Sequence, residues 1–156
     1  MNLYKCSDQS GNVCCFADLP GYGYAKLSDD QQKEISKFVE HYLRERGSIK
    51  FVLVLLDARR EPLEADHDML QHLDHIGMPF GVVATKVDKL SPNELQNSLA
   101  RLRRTHGLAG SGTEIVPFSA VTQVGRKDLW RLVRNHLLSV DAQDEDDSED
   151  NYEAAE

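Results

Sequence analysis

Residues Phe80 to Lys89 read FGVVATKVDK. Apolar and small residues run without a break to Ala84, and then a threonine, two lysines and an aspartate arrive within five positions. A strand with one face in water alternates polar and apolar residues; an unbroken apolar run belongs to a strand covered on both faces. Phe51 to Leu56, FVLVLL, is a second run of the same kind. Cover on both faces is what helical crossovers between parallel strands provide, so these two segments predict a layered α/β fold.

The segments around them agree. Ser28 followed by Gln31 is a capping box, and Ile35, Phe38, Val39, Tyr42 and Leu43 share one helical face up to Gly47. Met69, Leu73 and Ile76 mark a second helix closed by Gly77. Ser91-Pro92-Asn93-Glu94 opens a third with a capping box and proline at its first position; Leu95, Leu99 and Leu102 face its core. Glu114 to Phe118 is a strand, and Leu129, Trp130, Val133 and Leu137 mark the last helix. At the other end, Leu3 to Cys6 and Asn12 to Ala17 are short β-type runs joined by a turn at Ser7 to Gly11.

Open parallel sheets bind ligands beyond the carboxyl ends of their strands. The segments that leave strands are therefore the candidate site. At Thr85-Lys86-Val87-Asp88, the Asp88 carboxylate suits the paired ring N–H and exocyclic amine of guanine, a donor pair that adenine lacks. The stem of Lys86 can lie along a base while its ammonium stays polar. Phe118-Ser119-Ala120 ends the next strand with small residues that let backbone N–H groups approach a base carbonyl. Asp18, in Asp18-Leu19-Pro20-Gly21, can hold a magnesium-bound water, and Gly21 can bring its N–H close to a terminal phosphate.

Composition bounds the rest. The chain has 156 residues, 40% hydrophobic and 28% charged, which suits one folded domain. Its net charge of −8 is a local feature: nine of the 26 acidic side chains lie in Asp141–Glu156, and the remaining 17 face 18 basic ones. Residues 1–140 are read as the folded domain and residues 141–156 as an acidic disordered tail. The longest apolar run is strand-sized, so no membrane partner is expected. Cys6, Cys14 and Cys15 make neither a disulfide framework nor a metal-ligand spacing and suit a reduced compartment; Cys14-Cys15 is read as core packing. His67, His72 and His75, and Arg101, Arg103 and Arg104, are read as solvated helix faces.

DLPG at Asp18–Gly21, TKVD at Thr85–Asp88 and FSA at Phe118–Ala120 resemble, in this order, the guanine-nucleotide motifs of translation-factor-class GTPases. DLPGYGYAK, DARREPLEADHDML and TKVDKL together resemble the EngB/YihA family of ribosome-assembly GTPases, over residues 2 to 140. The resemblance implies a three-layer P-loop GTPase-type domain with a mostly parallel sheet and an antiparallel edge hairpin. It implies GTP and GDP as ligands with Mg2+, and the large ribosomal subunit or its precursor, rRNA and protein, as partner, with no DNA. A link to cell division and septation comes with it, in the cytoplasm or, for a eukaryotic form, an organelle matrix or stroma. Tyr22, Gly23, Tyr24 and Lys26 fall in the moving switch of that family, with the two tyrosines as partner contacts. Asp57, Arg59 and Arg60 match a family segment and are given no catalytic role.

Two departures qualify what is expected. No G-x-x-x-x-G-K-[ST] occurs in the chain, so it is read as such a domain lacking the first strand and the phosphate-binding loop. Tyr22 stands where better-known small GTPases place a water-orienting glutamine, so hydrolysis is expected to be slow without a partner. A non-catalytic ribosome-binding module is the alternative reading. The 156-residue chain is expected to bind GTP more weakly than about 100 μM, because the base is held and the α- and β-phosphates are not. Low-micromolar binding of a fluorescent GTP analogue would contradict this.

Overall fold

The computed structural model describes residues 1–7, 13–21 and 28–144. The chain divides into two compact units, Met1–Gly47 and Ser48–Glu156. The first contains β1 (Asn2–Ser7), β2 (Val13–Asp18) and α1 (Asp29–Glu45). Strands β1 and β2 pair antiparallel, from Asn2 opposite Asp18 to Ser7 opposite Val13. The turn expected at Ser7 to Gly11 lies largely outside the described residues. Ser28 caps α1 as its spacing predicts: Gln31 N donates to Ser28 Oγ at 3.4 Å, and Gln31 Oε1 accepts from Ser28 N at 3.1 Å. Such a cap contributes about 1 kcal/mol. Val39 and Leu43 are buried, whereas Phe38, expected on the same face, is 43% exposed and stacks against Tyr42.

The second unit runs β3 (Val52–Asp57), α2 (Glu64–His75), β4 (Phe80–Thr85), a single 3₁₀ turn (Val87–Lys89), α3 (Pro92–Thr105), β5 (Ile115–Pro117) and α4 (Arg126–Asp144). Its sheet is parallel throughout, in the order β3-β4-β5. The fold class is the expected one, α/β with a parallel sheet and an antiparallel pair, but the pair, expected as an edge hairpin, forms a two-stranded sheet of its own. Strand β4 is central, and Val82, Val83 and Ala84 are at most 2% exposed, as its apolar run demands. Burying each valine there stabilises the fold by about 1.5–3 kcal/mol.

Backbone ladders carry three strands one residue past their apolar runs, so Asp18, Asp57 and Thr85 are terminal strand residues. Strand β5 is shorter than its apolar run, although Glu114 O and Phe118 N still bond to β4, through Val82 N and Ala84 O.

Two glycines are fixed by close approach. A Cβ on Gly81 would stand 2.8 Å from Leu132 Cδ2 of α4. A Cβ on Gly125 would stand 1.9 Å from Pro117 O, and its φ of +80° is left-handed besides. Among the described side chains of α4, Leu132 and Val133 are buried and Trp130 is 37% exposed. Cys15 is exposed and Cys14 half-buried, so these cysteines are not deep core either. Helix α4 continues to Asp144, past the start of the acidic segment, and residues 145–156 lie outside the described residues.

The histidines depart most from expectation. Of the three on α2, His75 lies exposed while His67 and His72 are half-buried. The His67 ring stacks on His106, which caps the end of α3, with centroids 5.9 Å apart. His106 is buried, and neither of its ring nitrogens finds a hydrogen-bond partner. Burial pushes its pKa below the ordinary 6.5, opposed by the charge of Asp66 and assisted by that of His67. A histidine held neutral in the folded state binds fewer protons than it does unfolded. Its contribution is therefore fully present above 6.5 and lost as pH falls through the lower, folded value. Urea denaturation should give a lower stability at pH 5.5 than at pH 7.5 for the native chain. His106→Leu should reduce that difference, and an identical difference in both proteins would remove His106 as its source.

Candidate functional site

Three strand ends meet at one edge of the parallel sheet. Asp57 at the end of β3 stands in register with Thr85 at the end of β4. Ala58 N donates to Thr85 O at 3.0 Å, and Thr85 Oγ1 returns a bond to Leu56 O at 2.9 Å. Phe118 N, just after β5, donates to Ala84 O at 2.8 Å, and Val87 N donates to Phe118 O at 3.4 Å. These backbone bonds fix the edges from which the polar side chains project.

Lys86 is the hinge between β4 and the 3₁₀ turn. Its φ of 62° and ψ of 31° are left-handed, a conformation few non-glycine residues adopt. The turn that follows buries Val87 at 6% exposure and presents Asp88. Asp88 Oδ1 accepts from Ser119 Oγ at 2.7 Å, and Oδ2 lies 3.5 Å from Lys89 Nζ.

Ser119 is fully buried, and its hydroxyl is saturated. Val121 N and Thr122 N both donate to Ser119 Oγ, at 3.2 and 3.1 Å. A hydroxyl has one proton and two acceptor positions. With both acceptor positions taken, the proton is directed to Asp88. The Ser119 hydroxyl bond holds the Asp88 carboxyl below its ordinary pKa of 3.8, with Lys89 adding to the effect.

The expected site residues thus divide by role and by place. Thr85, Lys86, Val87 and Asp88 join Phe118, Ser119 and Ala120 in one constellation, but Thr85 and Val87 serve the backbone and the core. Ala120 is exposed, and its carbonyl accepts from Gln123 Nε2 at 3.0 Å. Asp18 ends β2 in the other unit, with an exposed carboxylate; Leu19 and Pro20 are half-buried and Gly21 exposed. Tyr22, Gly23, Tyr24 and Lys26 lie outside the described residues. Among the described residues, no cluster of three or more His, Cys, Asp or Glu side chains could hold a metal ion. None of the described helices is long and apolar enough to cross a membrane.

Asp57, which the sequence marks for no catalytic role, stands at the heart of the edge. Arg59 grips it in a fork, Nε to Oδ1 at 2.9 Å and Nη2 to Oδ2 at 2.7 Å. Lys86 Nζ donates to Oδ2 at 2.8 Å. The Arg59 fork and then the Lys86 bond hold the Asp57 carboxyl well below the usual carboxylate range, against the opposing effect of burial. The signal was available: an acid directly after FVLVLL, in register with the residue before Lys86. Arg101, read as solvated, is half-buried and ties the next loop down through Glu61 at 2.9 Å and Arg60 O at 3.2 Å.

No family model matches the chain. It is 38% identical over 122 residues to "Probable GTP-binding protein EngB" of Lachnoclostridium phytofermentans, covering 78% of this chain and 60% of that protein. It is 36% identical over 137 residues to the protein of the same description from Shouchella clausii, covering 88% and 67%. The chain therefore spans about three fifths to two thirds of the length of these relatives. Among solved structures, a probable GTP-binding protein engB superposes with a TM-score of 0.66 at 18% identity, covering 89% of this chain and 82% of that one. Era in complex with MgGDPNP and a segment of 16S ribosomal RNA gives 0.67 at 24% identity, covering 86% and 43%. At these identities the structural likeness speaks for the fold.

Ser119→Ala should move the Asp88 carboxyl pKa up toward its ordinary value, read by carbon-detected NMR titration. An unchanged Asp88 titration would mean that the hydroxyl does not anchor the carboxylate. Because the folded pKa is depressed, the stabilisation lost by this variant is present near neutral pH and vanishes as pH falls through the carboxylate range.

Proposed function

The chain belongs to the EngB family of GTP-binding proteins, and on that premise we propose that it binds guanine nucleotide at the ends of β4 and β5 and acts as a nucleotide-dependent switch in assembly of the large ribosomal subunit. The observation that carries the reading is the Asp88 carboxylate, held in place by the buried Ser119 hydroxyl at a strand's carboxyl end. An oriented carboxylate accepts the two N–H donors on one edge of guanine, and adenine would leave it unpaired.

Each remaining residue has a role in this reading. The Lys86 stem lies along the base; Phe118 N is bonded to Ala84 O and Ser119 N to Val124 O, so the backbone N–H proposed for the base carbonyl is that of Ala120. Asp18 and Gly21 serve the phosphate side. Magnesium fits there in one respect: it takes one or two carboxylates and fills its shell with phosphate oxygens and water, and Asp18 offers an exposed carboxylate. Bound with nucleotide, the ion would neutralise charge on the β- and γ-phosphates. Asp18 would hold one of its waters, and Gly21 would donate its N–H to the terminal phosphate. The segment Tyr22 to Lys26 would change conformation with nucleotide state and report it to a partner.

The partner proposed is the large subunit or its precursor, through rRNA and protein, with a further link to cell division. The solved Era complex contains ribosomal RNA, which supports an RNA partner for this fold. Millimolar titrations of GDP and ADP, followed by NMR of the 156-residue chain, test the base site directly. GDP should shift the amides of Lys86 to Lys89 and Ser119 to Thr122, and ADP should not. Asp88→Asn should weaken GDP by about tenfold or more and favour xanthosine diphosphate, since the amide restores the pairing with that base. Unchanged GDP binding in this variant would take Asp88 out of the base site.

A further inference from the structure

The geometry points to Asp57 as a positioning residue that holds the Lys86 side chain ready to lie along the nucleotide base. The inference rests on the guanine reading of the β4 loop and adds a residue which that reading does not contain.

Asp57 and Lys86 are 29 positions apart, and the parallel register of β3 and β4 brings them together. Lysine is a poor wall for a binding site when free, because its four-carbon stem samples many rotamers. Here both ends are held. The backbone of Lys86 is set in the left-handed region, and Nζ is fixed on Asp57 Oδ2 at 2.8 Å. The carboxylate is itself immobilised by the Arg59 fork and by Arg59 N, which donates to Oδ1 at 3.1 Å. Exposure follows the same order: 15% of the Asp57 side chain is accessible, against 52% for Lys86. The anchor is sheltered and the lysine it holds is open to a ligand.

This arrangement removes most of the ordering cost that a base would otherwise incur on contact with the Lys86 stem. Asp57 does not touch the base in this account. It acts through Lys86 alone, and that restriction makes it separable from a structural role.

The test uses the 156-residue chain with GDP and ADP as probes, read by NMR titration, and urea denaturation as a separate measure of stability. Asp57→Asn should weaken GDP by roughly three- to tenfold, the cost of ordering one long side chain, and leave the preference for GDP over ADP unchanged. Lys86→Met keeps the stem and loses the ammonium; it should weaken GDP to a similar degree. The double variant should bind no more weakly than Lys86→Met, because the two residues act as one unit. A folded Asp57→Asn chain with native GDP affinity, or effects that multiply in the double variant, would overturn the inference. Should Asp57→Asn fail to fold, relaxation of the Lys86 side chain in the native, nucleotide-free protein decides. Restricted motion relative to the exposed Lys127 supports the inference, and equal mobility overturns it. A native chain that binds GDP and ADP alike would remove the guanine reading itself, and the role of Asp57 with it; a native preference for GDP, with Asp57→Asn unaltered, removes only the latter.

Discussion

Burial of β4 on both faces is the constraint from which the second unit follows. A strand enclosed between layers cannot place a polar side chain along its length without stranding it from water. Val82, Val83 and Ala84 obey that rule, and polar chemistry begins where the strand stops. The same enclosure makes the sheet parallel, because helices must return the chain across each face. All strands therefore end at one edge, where Asp57, Lys86, Asp88 and Ser119 gather. Site and fold have a single origin.

At that edge, charge is ordered by partners that are themselves fixed. Ser119 has no freedom left once two backbone N–H groups fill its acceptor positions, so it directs its proton to Asp88. Arg59 forks onto Asp57, leaving that carboxylate directed at Lys86. Neither carboxylate is free to rotate or inclined to protonate near neutral pH. A site arranged this way meets its ligand with little reorganisation.

How much of this was legible beforehand depends on the range of the signal. Local signals were read well. The capping boxes at Ser28 and Ser91 form as their spacing indicates, and in both, the glutamine or glutamate side chain returns to the cap N–H. The unbroken apolar runs gave the parallel strands, but only β4 is buried as its run demands; in β3 Leu55 is 65% exposed. Asp88 and Ser119 could be placed at strand ends from the same runs. Their mutual hydrogen bond could not be seen, since it spans 31 positions and depends on register. The Asp57–Lys86 bond is hidden in the same way, across 29 positions, whereas the Arg59 fork on Asp57 is local. Residue type is a poor guide to which side of a helix the core takes: His67, a polar residue expected in solvent, is half-buried and stacks on His106.

The contact between Gly125 and Pro117 bears on how this surface can change over time. The chain leaves β5 at Pro117, circles through the loop that carries Ser119, and returns so tightly that position 125 has no room for a side chain. The start and finish of that circuit are pinned to each other. Its length is consequently closed to drift: an inserted or deleted residue would have to be absorbed within the eight positions that also aim the Ser119 hydroxyl. Novelty at this edge can come by exchanging exposed side chains such as Val121 and Val124, while the frame that carries them admits no extra links.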